Sequence, residues 1–365
     1  LQVLFVTQYG PLAASSRTRV FNYLPFLGAQ GIDCSVLTIL PDRVIAGSLA
    51  LVSRRPLRKI LYYLQAAWRT WVCGVRVVRR AAGVDVLFIQ KVIFPAPVRW
   101  GLQRLATPVV YDFDDAIFTT EIRSGHWLAR WKEARNARGL PAMLSLADYA
   151  VVENDYTGQY AGRFCPVLTI TGPIDTGPYD NTEAVTRAAD GSIVLGWIGS
   201  PSTVGYLDGI RAPLRALAAR FSCLRLLVIG AEWSAAGVDV ESRPWVLERE
   251  AADLAECDIG IMPVADDPWT RGKGGYKLLQ YMAAGLPVVT DPVGINVELV
   301  TEGLNGYLAH GEKGWDEALQ RLIEDADLRH RLGAAGRQLV GARYAQHVQQ
   351  DRLLAMLHQV AAGTP

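Results

Sequence analysis

Short runs of Val, Ile and Leu alternate along the chain with longer stretches in which apolar positions recur every three or four residues. A parallel sheet requires this alternation, because strands covered by helices on both faces are apolar throughout, while each crossover helix buries only one stripe. The pattern occurs twice. The first set of predicted strands is Val3–Thr7, Cys34–Thr38, Val84–Gln90, Pro108–Asp112, Tyr149–Val152 and Val167–Ile170. The second is Ile193–Ile198, Leu224–Ile229, Asp258–Pro263, Pro287–Thr290 and Gly306–Leu308. Between them lies Thr171–Gly191 (TGPIDTGPYDNTEAVTRAADG), whose Gly, Pro, Asp and Thr content breaks regular structure and reads as an interdomain linker. The expected architecture is α/β, with two Rossmann-like domains at 1–172 and 190–344, and a helix at 345–365 packing back on the first. Ligands of open α/β sheets bind beyond the carboxyl ends of the strands, so the active site is expected in the cleft between the two sheets.

Composition narrows the classes. Half of the 365 residues are hydrophobic and a fifth are charged, a globular balance, and a net charge of +1 gives no overall field for nucleic acid. The five cysteines (Cys34, Cys73, Cys165, Cys223, Cys257) are scattered without a C-x-x-C pair, so neither a disulfide framework nor a zinc knuckle is expected. Leu1–Thr7 already reads as a strand rather than a secretory leader, and no run reaches the roughly 18 apolar residues of a membrane span. The expected setting is cytoplasmic, soluble or peripheral to a membrane.

In the second half, the strand Ile193–Ile198 runs into Gly199, Ser200, Pro201, Ser202 and Thr203, followed by a helical pattern from about Val204. Small residues at such a turn bare backbone N–H groups where the helix dipole favours an anion, although the same hydroxyls also serve as plain helix caps. A stronger signal is the run RGKGGYKLLQYMAAGLPVV from Arg271 to Val289. Read as a helix entered through glycines, it sets Lys273, Lys277 and Gln280 at i, i+4 and i+7, one polar stripe on an otherwise apolar element. Two cations and an amide near a helix N-terminus suit a diphosphate and a ribose.

The run YMAAGLPVVTDPVGINVELV resembles the signature region of the group 1, or family 4, glycosyltransferases of the GT-B fold, in which E-x7-E leads into EAMA-x-G-x-PVV. GWIGSPST, ADYAVVENDYTGQY and TGPID stand where that family has its phosphate loop, the last strand of its first domain and its linker. The resemblance implies a nucleoside diphosphate sugar as donor, held by the second domain, and retention at the anomeric carbon. Residues carried over as donor contacts are Gly10, Gly199, Ser200, Thr203, Arg271, Lys273, Lys277, Gln280, Gly294 and Asn296. The chain departs from the pattern where the two glutamates fall on Gly272 and Gln280, and where Ser200, Ser202 and Thr203 replace the usual Arg and Lys. Lys273 and Lys277, with Arg271, are expected to supply the missing charge, and Asp266 or Asp267 to meet sugar hydroxyls unless they are merely solvated. Glu298 reads as a helix cap.

In the first half, the loop from Gln8 to Arg19 follows the first strand; Gly10 permits close backbone approach, and Arg17 or Arg19 is a candidate for a donor phosphate or an anionic acceptor. The strand Pro108–Asp112 runs into Asp112-Phe113-Asp114-Asp115, a crowding of carboxylates that marks Asp112 or Asp114 as the candidate acid/base or acceptor-orienting group, with Lys277 as the third catalytic candidate. The same D-x-D would serve a metal-dependent transferase. Metal-free electrostatic catalysis is the first expectation, because a lysine-bearing helix makes the metal unnecessary, and no cofactor is expected beyond the donor. A sugar-nucleotide epimerase or a two-domain solute-binding protein would also be compatible with two such domains. Residues 51–80 hold eight basic and no acidic residues among Leu, Ile, Tyr and Trp, and with Trp127 and Trp131 they suit an anionic membrane surface and a lipid-linked or cell-envelope glycan acceptor, although a small-molecule acceptor stays open.

Overall fold

The computed structural model describes residues 1–42, 56–119, 127–180 and 191–363. The chain divides into two units, one formed by 1–173 with 349–365 and the other by 174–348. Each is built on a six-stranded parallel sheet with helices as crossovers, the α/β architecture that the alternating pattern predicts.

The first unit contains β1 (Gln2–Tyr9), β2 (Asp33–Leu40), β3 (Val86–Gln90), β4 (Val109–Phe113), β5 (Tyr149–Val152) and β6 (Val167–Thr169). Their order across the sheet is β2-β1-β3-β4-β5-β6. β3 and β4 are buried at every position, as expected of central strands covered on both faces. The C-terminal helix Gln346–Ala361 lays Leu353, Met356, Leu357 and Val360 into the core formed by Val3, Phe5, Val86 and Phe88.

The second unit contains β7 (Ile193–Ile198), β8 (Leu224–Ile229), β9 (Asp239–Arg243), β10 (Ile259–Met262), β11 (Val288–Thr290) and β12 (Gly306–Leu308). Here the order is β12-β11-β10-β7-β8-β9. Alternate residues of β8 feed two cores, with Leu226 and Val228 on one face and Leu227 and Ile229 on the other. β9 (DVESR) escapes the sequence pattern because it is an edge strand, where charged side chains keep the open edge soluble.

The segment 174–180, expected to belong to a linker, is built into the second unit. Ile174 bridges Ala345, the Tyr179 hydroxyl donates to Glu250 at 3.0 Å, and Asp180 pairs with Arg337 at 2.7 Å. Among the described residues, no helix is long and apolar enough to cross a membrane.

Candidate functional site

The strand order of the second sheet reverses direction between β7 and β10. There the connections leave on opposite sides and a crevice opens beyond the strand ends. The two strands pair only at Ile259↔Leu195 and Gly260↔Gly196, then part. Tyr281 takes over the backbone groups thereby left without a ladder partner: its hydroxyl accepts from Ile198 N at 2.9 Å and donates to the Ile261 carbonyl at 3.1 Å. A side chain on Gly260 would collide with the Tyr281 ring, so the glycine lets the helix Tyr276–Ala283 lie directly on the sheet. Tyr281 therefore pins this helix across the crevice, and Lys277, one turn earlier on the same face, is carried to its mouth.

The Lys277 ammonium sits 4.3 Å from the centre of the Trp197 ring and donates to Thr203 Oγ1 at 3.4 Å. Among the described residues no carboxylate lies within ion-pair reach of it. Burial, with Lys273 nearby, brings the ammonium down from its usual 10.5 to about 7, and the Trp197 ring face returns part of that loss. Gly199 closes the wall: a Cβ there would lie 2.5 Å from Lys277 Nζ and from the Trp197 ring. The helix itself starts at Gly275, whose φ of 67° is left-handed and which offers no side-chain cap to the first turn. An under-neutralised cation beside an uncapped helix N-terminus is an anion seat. Ser200 and Ser202 hydroxyls, 2.7 Å apart, rim it.

A cavity of 310 Å³ adjoins the same strand ends, lined by Tyr206, Ile210, Val264, Asp291, Glu312 and Trp315 among others. Asp291 organises it, accepting from Val264 N at 2.8 Å and from Trp315 Nε1 at 3.1 Å, and burial raises its carboxyl. No sequence pattern marks these residues, because they come from the 3-10 helix Val204–Ile210, the loops after β10 and β11, and the start of the helix Gly311–Glu324.

The remaining expected donor contacts fall differently. Lys273 is not on the helix, since Gly275 starts it two residues later; Lys273 stands in the preceding turn, close enough to depress Lys277. Gln280 is 5% exposed and hydrogen-bonds Tyr179, so its amide faces the core rather than the crevice. Asn296 is likewise enclosed, with Nδ2 donating to Thr290 Oγ1 at 2.8 Å and to the Asp291 carbonyl at 3.1 Å. Gly294, at φ 56°, backs against Arg271, where a Cβ would come 2.6 Å from the carbonyl oxygen. Arg271 is fastened to Asp266 at 2.6 Å, and Asp267 caps its own short helix through Thr270 N, so neither carboxylate is a bare sugar contact. Glu298 falls in the first turn of Asn296–Leu299, where its charge suits the helix N-terminus.

In the first unit, the charges are paired. Arg19 lies wholly inside, with Nε donating to Asp112 Oδ1 at 2.9 Å, and Nη1 donating to Glu153 Oε1 at 3.1 Å and to the Ile170 carbonyl at 2.6 Å. Burial alone would lower the guanidinium, but Asp112 and Glu153 hold it charged; burial pushes Asp112 up to about 6 and Glu153 to about 7. Asp112, expected as an acid/base, and Arg19, expected as an anion contact, are thus buried against each other as an ion pair. Asp114 meets Lys91 Nζ at 2.6 Å, and Asp115 meets it at 2.5 Å. The two carboxylates of the D-x-D element therefore face different cations of the protein and are not arranged as a metal-ligand pair. Arg17 donates to the carbonyls of Pro11 and Leu12 at 3.4 and 3.3 Å. Gly10 is required by Asp42, whose Oδ1 would lie 2.5 Å from a Cβ. Among the described residues, no group of three or more His, Cys, Asp and Glu is placed to hold a metal ion.

Of the basic stretch 51–80, Arg54, Arg55, Arg58 and Lys59 lie outside the residues whose side chains are described, as do Trp127 and Trp131. The described part belongs to the helix Pro56–Ala81, which exposes Leu61, Leu64, Trp68 and Trp71.

Residues 192–325 match the family model of group 1 glycosyl transferases. The D-inositol 3-phosphate glycosyltransferase of Stackebrandtia nassauensis is 31% identical over 189 residues, 45% of this chain and 41% of the relative. The chain spans less than half the length of the curated relatives it matches. Among solved structures, sucrose-phosphate synthase from Thermosynechococcus elongatus superposes with a TM-score of 0.68 at 16% identity, covering 100% of both chains. HepE of Anabaena, solved in complex with UDP, gives 0.61 at 15% identity, covering 98% of this chain and 100% of HepE. At such identities the likeness to solved structures is one of fold. Residues 192–325 therefore carry a sequence pattern similar to that of the group 1 glycosyl transferases, set in a chain whose two parallel sheets have the GT-B fold.

Proposed function

We propose that this chain transfers a sugar from a nucleoside diphosphate sugar to an acceptor hydroxyl, with retention at the anomeric carbon and without a metal ion. The observation that carries this reading is Lys277: an ammonium held over Trp197 beside an uncapped helix N-terminus, with no carboxylate to neutralise it among the described residues. A diphosphate placed there supplies the missing counter-charge. As the bond between the sugar and the diphosphate breaks, negative charge grows on the leaving oxygen, and Lys277 with the helix N-terminus stabilises it without reorganising. The crevice beside Asp291, Tyr206 and Trp315 offers room for the rest of the donor. The HepE structures hold UDP and UDP-glucose, which makes a uridine donor the first to try.

Leu61, Leu64, Trp68 and Trp71 follow one face of their helix, and Trp68 stacks on Trp71 with centroids 5.8 Å apart. Arg76, Arg79 and Arg80 follow along the same helix, so an anionic membrane surface at the cytoplasmic side, and a lipid-linked or cell-envelope glycan acceptor, suit it.

The test is a thermal-shift panel of UDP, GDP, dTDP and their sugars, with and without EDTA. One nucleotide is expected to stabilise the protein equally in both conditions, and Lys277→Ala to abolish the shift. Stabilisation lost on adding EDTA would refute the metal-free reading, and a shift retained by Lys277→Ala would refute the assignment of the site.

A further inference from the structure

Asp291 is the acidic counterpart of Lys277 in the second unit. It follows β11 and lies along the 310 Å³ cavity, fixed from two sides: Oδ2 accepts from Val264 N at 2.8 Å and Oδ1 from Trp315 Nε1 at 3.1 Å. One N–H on each oxygen leaves acceptor capacity on the carboxylate. Burial pushes its carboxyl up, and the Val264 and Trp315 donors, its own backbone N–H and the nearby His310 work against that rise. Among the described residues, no cation forms an ion pair with it. The buried Asp253 of the same unit shows the alternative, being held by Arg243 at 3.3 Å and Arg249 at 3.0 Å.

The cavity begins beside the anion seat. Lys277 donates to Thr203 Oγ1, and the helical turn that starts at the next residue, Val204–Ile210, supplies Gly205 and Gly209 to the cavity wall. Gly311 adds a third glycine, and a Cβ on any of the three would meet nothing within 4 Å. Close packing therefore does not require these glycines; they leave the wall open. A cation and a carboxylate thus stand in adjoining parts of one crevice, and among the described residues neither has a protein charge to neutralise it. A ligand that suits both carries an anion at one end and hydrogen-bond donors at the other. A carboxylate only accepts, so it fits sugar hydroxyls, whereas the N3–H of uracil lies between two carbonyl oxygens that a carboxylate repels. We propose that Asp291 receives hydroxyl groups of the donor's sugar and selects neutral sugars over sugar acids, whose own carboxylate it repels. This rests on the transfer reading above, with the diphosphate at Lys277.

Calorimetry on the full chain compares a bare nucleoside diphosphate with its hexose and hexuronate conjugates: UDP, UDP-glucose and UDP-glucuronate, or the same three on whichever base stabilises the chain. The hexuronate conjugate is expected to bind at least about tenfold more weakly than the hexose conjugate. Asp291→Asn is expected to weaken the hexose conjugate about tenfold, to leave the bare diphosphate within about twofold, and to narrow the difference between hexose and hexuronate. A purely structural Asp291 would instead cost both ligands alike. The wild-type comparison stands even if Asp291→Asn fails to fold. Equal binding of hexose and hexuronate conjugates by the wild type, or equal losses of bare diphosphate and hexose conjugate in the variant, overturns the inference and leaves the donor site standing. A wild-type chain that binds none of the nucleoside diphosphates overturns the donor reading, and this inference with it.

Discussion

Both sheets gather charged side chains at the carboxyl ends of their strands, yet they treat them in opposite ways. In the first unit, Arg19 is enclosed with Asp112 and Glu153, and Lys91 with Asp114 and Asp115. In the second, Lys277 has a ring face and a hydroxyl for company. The difference separates two meanings of a buried charge. A cation surrounded by carboxylates is finished, and removing one partner strands the other inside the protein. A cation left short of counter-charge is destabilising until an anion arrives, a cost retained where function needs it.

The largest effect that would break this contrast lies in the first unit. Arg19→Met should lower the unfolding free energy by about 3–5 kcal/mol, measured by urea denaturation, because Asp112 and Glu153 lose the guanidinium that neutralises them. Lys277→Met should do the reverse. Between its folded value of about 7 and its ordinary 10.5, the unfolded chain binds the proton that the fold disfavours, so wild-type stability rises with pH across that window. Removing the ammonium should stabilise the ligand-free protein at pH 7 by about 2 kcal/mol and flatten the pH dependence. The same variant should weaken nucleotide binding about 100-fold by calorimetry. If Arg19→Met and Lys277→Met lower stability alike, the two sites are not opposites.

Smaller changes sharpen the geometry. Gly199→Ala places a methyl group against Lys277 Nζ and the buried Trp197 ring, and should weaken nucleotide binding about tenfold and lower the stability of the ligand-free protein by about 1–3 kcal/mol. Tyr281→Phe removes two hydrogen bonds across the parting of β7 and β10 and should cost about 1–2 kcal/mol of stability, with a modest loss of affinity as the helix loosens.

The sheets are legible in the sequence because fully buried strands are apolar at every position, as β3, β4 and β10 are. β9 is not, since an edge strand keeps its charges. Lys277 stands out as a cation in the otherwise apolar KLLQYMAA, but a left-handed Gly275 delays the helix and leaves Lys273 outside it, which periodicity alone does not reveal. Tyr281 reads as one more core residue, and only the parting of two strands gives its hydroxyl a task. Asp112 looks functional because its partner, Arg19, is 93 residues away, and a sequence shows the crowding of like charges without showing what neutralises them. The cavity residues Tyr206, Asp291 and Trp315 come from a 3-10 helix, a loop and an α-helix that share no local pattern.

NMR titration of Lys277, with isotope-labelled lysine and Lys277→Met for assignment, tests the contrast where it is sharpest. The Lys277 side chain should titrate near pH 7 in the ligand-free protein and move up by about 2 units or more when a nucleoside diphosphate binds. An ammonium that titrates near its ordinary value and does not respond to any nucleotide would contradict the account.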